Sequence, residues 1–159
     1  MGRIRNIQFA QVLAGSPIAA PDDFADRPAL LVVESLPGLA PAVDEVCSFL
    51  GVRSEGVSDT LAIGQALRDL LPMGVIAMAD EIDCAVYDLM MAVAGFDQDL
   101  PVLLVTDDRA SVRGAVRGAQ LLWQLGGLIH VARHLDTNDL IDFLFRAARR
   151  SGVGRLLPV

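Results

Sequence analysis

The segment at residues 100–108, Leu-Pro-Val-Leu-Leu-Val-Thr-Asp-Asp, constrains the fold more than any other part of the chain. Its centre, Val102 to Val105, is an unbroken apolar run that is too short for a helix and contains β-branched residues, which favours a strand. A strand without a polar face must be covered on both sides, as in a parallel sheet that lies between helices. Thr106 and two aspartates follow, so polar side chains stand at the carboxyl end of this strand, where open α/β sheets place their ligands.

Four further segments have the composition of strands, and helical periodicity follows each strand. We predict strands at 29–34, 52–57, 73–79, 100–106 and 128–132. We predict helices at 41–50, from a cap at Ser58 or Asp59 to about 71, from a cap at Asp83 to about 93, at 109–125, and from Asp136 to about 152. Five strands that alternate with five helices predict a three-layer, doubly wound α/β domain with a parallel sheet. The domain occupies 28–152, between an N-terminal extension at 1–27 and a C-terminal tail at 153–159.

Local signals mark several of the predicted helix ends. Gly51 is suited to a C-terminal cap, and Asp136 with Asp139 three residues later is suited to an N-terminal one. In the second helix the apolar residues fall on one stripe that includes Leu67 and Leu71, and we expect this stripe to face the core.

Composition and charge exclude several classes of protein. The chain is 53% hydrophobic and 21% charged, unlike a disordered chain, and no apolar run approaches the about 20 residues that a membrane span requires. A net charge of −7 disfavours binding to the phosphates of nucleic acids. All thirteen basic residues are arginines, so chemistry that requires a lysine, such as a Schiff base or a P-loop, is excluded.

The cysteines and histidines show no metal-binding pattern. Cys47 and Cys84 have neither disulfide nor zinc spacing, which predicts two reduced thiols and a cytoplasmic location. His130 lies in the middle of the fifth predicted strand, with no second histidine or cysteine at a suitable spacing. We interpret it as a structural histidine of the sheet and predict no metal or other cofactor.

Three local motifs carry a resemblance to the response-regulator receiver domains. They are Leu-Leu-Val-Val-Glu-Ser-Leu-Pro at 30–37, Leu-Pro-Val-Leu-Leu-Val-Thr at 100–106 and Leu-Asp-Thr-Asn-Asp-Leu at 135–140, and the order of elements agrees over about 28–150. The resemblance implies the strand order 2-1-3-4-5. It also implies two acidic residues after strand one that hold Mg²⁺, an aspartate ending strand three that accepts a phosphoryl group, a serine or threonine ending strand four, and a lysine ending strand five.

This chain departs from that pattern at most of the functional positions. The corresponding rim of the sheet comprises Glu34, Ser35, Met78, Asp80, Thr106, Asp107 and Arg133. Only one carboxylate follows strand one, Met78 stands at the position of the phosphoacceptor, and Arg133 replaces the lysine. Arginine keeps the charge but is a planar fork rather than a compact ammonium group.

Two functional interpretations follow. In the first, the chain is a degenerate receiver, or pseudo-receiver, in two-component signalling: it is not an enzyme, it acts by protein–protein contact, and Arg133 pairs statically with Glu34, Asp80 or Asp107. In the alternative, Asp80 is the phosphoacceptor of an active receiver, Thr106 and Arg133 assist it, and Glu34 with Asp80 holds Mg²⁺.

A stripe of small residues in the fourth helix suggests a contact surface. Ala110, Gly114 and Gly118 recur every four residues, and glycine inside a helix costs about 1 kcal/mol relative to alanine. The stripe is explained either by close packing on the domain's own sheet or by a flat face for a second helix. In the last helix Phe143 and Phe145 widen the apolar arc to about 200°, which leaves one of them exposed. We predict a homodimer through the fourth and fifth helices, with the interface residues Ala110, Gly114, Gly118, Trp123, Phe143 and Phe145.

Overall fold

The computed structural model describes residues 27–34, 39–79, 82–132 and 134–152, in which five strands alternate with five helices. The strands are β1 (Ala29–Glu34), β2 (Arg53–Val57), β3 (Gly74–Ala79), β4 (Val102–Thr106) and β5 (Leu128–Val131). The helices are α1 (Leu39–Leu50), α2 (Ile63–Leu70), α3 (Cys84–Phe96), α4 (Ala110–Leu122) and α5 (Thr137–Arg150), and a 3-10 turn, Thr60–Ala62, precedes α2. Residues 1–26 of the predicted extension at 1–27, and the predicted tail at 153–159, lie outside these ranges.

The five strands form one sheet in the order β2-β1-β3-β4-β5, and every neighbouring pair is parallel. The predicted fold class and strand order are therefore confirmed. All carboxyl ends of the strands meet at one edge of the sheet, and β2 and β5 are its two edge strands. The interior strand β4 is buried along its whole length, as its unbroken apolar run predicted.

The predicted caps account for several helix ends. Asp83 accepts hydrogen bonds from the backbone N–H groups of Ala85 and Val86 at the start of α3. Asp136 and Asp139 form a reciprocal capping box at the start of α5. Gly51 follows α1 with a φ of 73°, in the left-handed region that glycine enters without steric cost. These ends are determined by local hydrogen bonding, which is why the sequence identified them.

Two of the differences from the predicted helix ends have a local structural reason. The helix α4 ends at Leu122 rather than at residue 125, because Gln124 has a φ of 54° and so leaves the helical conformation. Leu71 was expected on the buried stripe of α2, but it is the C-terminal cap of that helix, with a φ of 47° and a 70% exposed side chain. The helix ends at Leu70 because a residue that precedes a proline, here Leu71 before Pro72, disfavours the right-handed helical conformation.

The helices form two layers that cover opposite faces of the sheet. One layer, α1 and α5, packs against side chains that alternate along the strands, among them Leu30, Val32, Ile76, Leu103 and Val105. The other layer, α2, α3 and α4, packs against the intervening side chains, among them Leu31, Val75, Ala77, Leu104 and Leu128. In the part of the chain that the structure describes, no helix is long and apolar enough to cross a bilayer.

Candidate functional site

The register of the sheet determines which side chains stand beside Thr106 at its carboxyl edge. In the pairing of β3 with β4, Met78 is opposite Val105 and Ala79 is opposite Thr106. Ala79 belongs to the core beneath the α2–α4 layer, whereas Met78 packs against the core on the α1–α5 side. The residue opposite Thr106 is thus Ala79 rather than Met78, and the assignment of Met78 to the acceptor position stays a prediction. Ala79, whose side chain is a methyl group, ends β3 opposite Thr106, whose hydroxyl ends β4.

Much of the predicted charged rim lies outside the described residues. Ser35, Asp80 and Arg133 fall outside them, as does the side chain of Glu34, whose backbone ends β1 opposite Met78. The predicted pairing of Arg133 with neighbouring acids therefore stays a prediction. The same holds for Mg²⁺ held by Glu34 and Asp80.

Thr106 is the one buried polar residue among those that the structure describes, with 4% exposure. Its hydroxyl Oγ1 lies 2.6 Å from Nε2 of His130 and 3.0 Å from the backbone carbonyl oxygen of Asp107. A hydroxyl carries a single proton. When it donates that proton to the Asp107 carbonyl, Nε2 of His130 must carry a hydrogen and donate to Oγ1. Both polar groups of the pair then have partners, which removes the cost of burying them.

His130 is half-buried on β5, in an environment that disfavours its protonation. Burial lowers the pKa of the imidazole, and the positive charge of Arg113 lowers that pKa further, whereas Asp108 acts in the opposite direction. Arg113 and Asp108 are themselves joined in an exposed ion pair at the start of α4. The hydrogen bond to Thr106 therefore comes from an imidazole that favours its neutral form.

The sequence predicted a structural role for His130 but not its pairing with Thr106. The predicted strands contained a signal for the pair, however. His130 is opposite Leu104 in the sheet, and Thr106 is two residues beyond Leu104, so both side chains project from the same face of neighbouring strands. Only the register, which depends on the whole sheet, places their polar atoms within hydrogen-bonding distance.

The small residues of α4 lie on its outer face. Ala110, Gly114 and Gly118 are exposed, and a β-carbon placed on either glycine would meet no atom within 4 Å. Packing on the domain's own sheet, one of the two explanations for this stripe, is therefore wrong. At the end of the same helix Leu121 and Leu122 are 72% and 73% exposed.

The aromatic residues predicted for the interface occupy three different environments. Phe143 is 3% exposed, in the core between α5 and the sheet, so its expected place on the surface is wrong. Phe145 is half-buried against the same core. Trp123 is half-buried at the end of α4 and meets Tyr87 of α3 edge to face, with 5.9 Å between ring centroids. Most of the wide apolar arc of α5 therefore packs against the sheet and α1, and of its two phenylalanines only Phe145 stays partly exposed.

The two thiols also differ in environment. Cys47 of α1 is buried, and burial, reinforced by Asp44, raises the pKa of its thiol to about 12. Cys84, the first residue of α3, is exposed. Across the described ranges, no group of three or more histidine, cysteine, aspartate or glutamate side chains is placed to hold a metal ion.

Comparison with known proteins identifies the fold. No family model and no curated protein sequence matches the chain. The beryllofluoride-activated receiver domain of NtrC is similar at 14% identity, with a TM-score of 0.60 over 78% of this chain and 96% of that one. The non-phosphorylated HemR receiver domain from Leptospira biflexa is similar at 21% identity, with a TM-score of 0.59 over 76% of this chain and 94% of that one.

A third similar structure is the pseudo-receiver domain of the CikA protein, at 17% identity and a TM-score of 0.54 over 76% of this chain and 97% of that one. The chain therefore has the fold of response-regulator receiver domains, as the sequence resemblance implied. Structures with this fold include both phosphorylatable receivers and a pseudo-receiver, so the fold by itself leaves the chemistry of the rim open.

Proposed function

We propose that this chain is a degenerate receiver-like signalling module that acts by protein–protein contact and does not undergo the usual aspartyl phosphorylation. The observation that carries the proposal is the position of Ala79, which ends β3 directly opposite Thr106. A methyl group has no lone pair with which to attack a phosphorus atom. The hydroxyl of Thr106 is retained, but the residue beside it cannot become the phosphorylated group that such a hydroxyl would contact.

The sequence of the rim supports the same proposal. One carboxylate, that of Glu34, stands at the end of β1 where two would be expected to hold Mg²⁺. A divalent cation is needed to offset the charge of the transferring phosphoryl group. Arg133 occupies the position of the lysine, and a guanidinium fork suits a static pair with a carboxylate better than close approach to a single oxygen. Under this proposal the module requires no cofactor.

The test is phosphorylation by a small-molecule donor. We expect incubation with acetyl phosphate and Mg²⁺, followed by intact mass spectrometry, to leave the mass of the protein unchanged. A gain of one phosphoryl group that is lost in Asp80→Asn would establish the alternative, an active receiver that uses Asp80. Asp88→Asn, a change of an exposed carboxylate in the middle of α3, is the matched control for the loss of one acid.

We further propose that the contact surface includes the outer face of α4 and that the partner is a second copy of this chain. Gly114 and Gly118 leave room for the close approach of another helix, and exposed Leu121 and Leu122 supply apolar area on the same helix. Phe143 has no part in this surface, because it is buried, and Phe145 contributes at most its exposed edge.

Light scattering at tens of micromolar tests the dimer. We expect Gly118→Arg to reduce the apparent mass toward that of a monomer, whereas Ser48→Arg, a change at another exposed helical position, on α1, leaves it unchanged. A parent protein that is monomeric at this concentration would exclude the dimer and leave the phosphorylation proposal intact.

A further inference from the structure

The hydrogen bond between Thr106 and His130 connects the carboxyl end of β4 to the edge strand β5. When the Thr106 hydroxyl donates to the Asp107 carbonyl, Nε2 of His130 is the donor to Oγ1. Nε2 carries a hydrogen both in that neutral tautomer and in the imidazolium ion, so His130 can donate this bond in either protonation state. The hydroxyl of Thr106 in turn donates a hydrogen bond to the carbonyl oxygen of Asp107, the first residue after β4. Protonation of His130 therefore keeps this chain of hydrogen bonds and adds a positive charge at one end of it.

Two charged side chains at the beginning of α4 act on the imidazole. Arg113 disfavours a proton on His130 and Asp108 favours one, and the two side chains form an ion pair with each other. Their side chains are 54% and 61% exposed, so water screens the attraction between them and the ion pair is weak. The bond between Thr106 and His130 is half-buried. Of the two contacts, the ion pair is the one that a new charge can rearrange.

We propose that His130 is a proton-sensitive residue that couples the carboxyl edge of the sheet to the first turn of α4. When His130 is neutral, Asp108 pairs with Arg113. When His130 gains a proton, the imidazolium competes for Asp108 and repels Arg113, which turns toward solvent. The outer face of α4 then presents an additional unpaired positive charge beside Gly114. The inference goes beyond the proposed signalling function and does not depend on whether the chain forms a dimer or accepts a phosphoryl group.

An NMR titration of the full chain tests this coupling. The chain has two histidines, and His134→Gln both assigns the two imidazole signals and serves as the matched control. We expect His130 to titrate with a midpoint below its ordinary value of 6.5. We expect the backbone amides of residues 107–113 and the side-chain Nε–H of Arg113 to shift with the same midpoint in the parent and in His134→Gln, and not in His130→Gln.

Three results would overturn the proposal. They are a His130 midpoint at or above 6.5, an Arg113 signal that does not follow that midpoint, and a response of α4 that survives in His130→Gln. Each is readable from a folded protein, because the dispersion of the amide spectrum reports folding in the same experiment.

A second pair of variants separates the two effects of His130: the hydrogen bonds through Thr106 to Asp107, and the charge effect on Asp108 and Arg113. Thr106→Val removes the hydroxyl at nearly constant volume, so we expect the shift of the Asp107 amide to be lost and that of Arg113 to remain. Thr106→Ser keeps the hydroxyl and should restore the Asp107 response. If Thr106→Val does not fold, the serine variant and His130→Gln decide the matter, and an Asp107 response equal in both of these would contradict the coupling.

Discussion

The two helical layers of this domain cover the same sheet but leave very different surfaces. The large apolar side chains described in the α1–α5 layer are buried or half-buried, with Phe143 buried and Phe145 half-buried on α5. The large exposed apolar side chains of the described residues, Leu61, Leu71, Met91, Leu121 and Leu122, all lie on or at the ends of the helices of the α2–α4 layer. The pair of Thr106 and His130 is on that same side of the sheet. Both layers therefore contribute buried side chains to the core, but only the α2–α4 side of the sheet also carries the large exposed apolar side chains and the pair of Thr106 and His130.

The accessibility of the two thiols should show this contrast as an all-or-none effect. Cys84 begins α3 and is exposed, whereas Cys47 of α1 is buried and its pKa is raised to about 12, so little thiolate forms at neutral pH. We expect a thiol reagent to label one cysteine per native chain and two in denaturant. Cys84→Ser should abolish native labelling, and rapid labelling of Cys47 in that variant would contradict the tight packing of the α1–α5 layer.

Truncation of one large side chain in each layer should give the next largest difference. Phe143→Ala removes a ring that is 3% exposed and should lower the free energy of unfolding by about 3–5 kcal/mol. Leu121→Ala on α4 should change it by no more than about 0.5 kcal/mol, because that side chain is already in water. Urea denaturation measures both, and equal losses would show that Leu121 is covered in solution.

A β-carbon at Gly74 tests the packing of α5 on the sheet. It would lie 3.0 Å from Cζ of Phe143 and 3.3 Å from Cβ of Ala147, so Gly74→Ala should cost about 1–3 kcal/mol of stability. The loss should be smaller when Phe143 is replaced by leucine, since the contacting ring atom is then absent. Additive effects in this double-mutant cycle would contradict the contact.

The same substitution in α4 should have the opposite sign. Gly114→Ala and Gly118→Ala place a methyl group where no atom lies within 4 Å, and alanine has the higher helix propensity. Each change should raise the free energy of unfolding by up to about 1 kcal/mol, which urea denaturation measures as a higher midpoint. A loss of stability at low protein concentration would mean that these glycines contact the domain itself.

The smallest expected effect is the pH dependence that His130 contributes. Its pKa is lowered in the folded state, so the unfolded chain binds the proton more readily than the folded chain does. The stabilising contribution is present above the unfolded value of 6.5 and is lost as the pH falls through the folded pKa. His130→Gln should therefore flatten the decline of stability in this mildly acidic range, whereas His134→Gln should not. Because His130 is half-exposed, solvent screening keeps the effect small.

Most of the elements could be predicted because their signals are local. The unbroken apolar run of β4, the caps Asp83 and Asp136, and the left-handed Gly51 each depend on neighbours within a few residues. The candidate site could be predicted less well. Counting residues along a strand did not predict that Ala79 lies opposite Thr106, since register is decided by the packing of the whole sheet.

The amino-acid sequence by itself determined the alternation of strands and helices, the absence of lysine chemistry and the presence of a hydroxyl at the end of β4, since all of these follow from residue identity and short-range periodicity. Only the tertiary structure decided that the glycines of α4 point outward, that Phe143 is buried while Leu121 is not, and that Thr106 meets His130. The reason is physical: an apolar arc of about 200° is compatible with several rotations of a helix. The rotation that occurs depends on side chains that come from strands distant in the sequence.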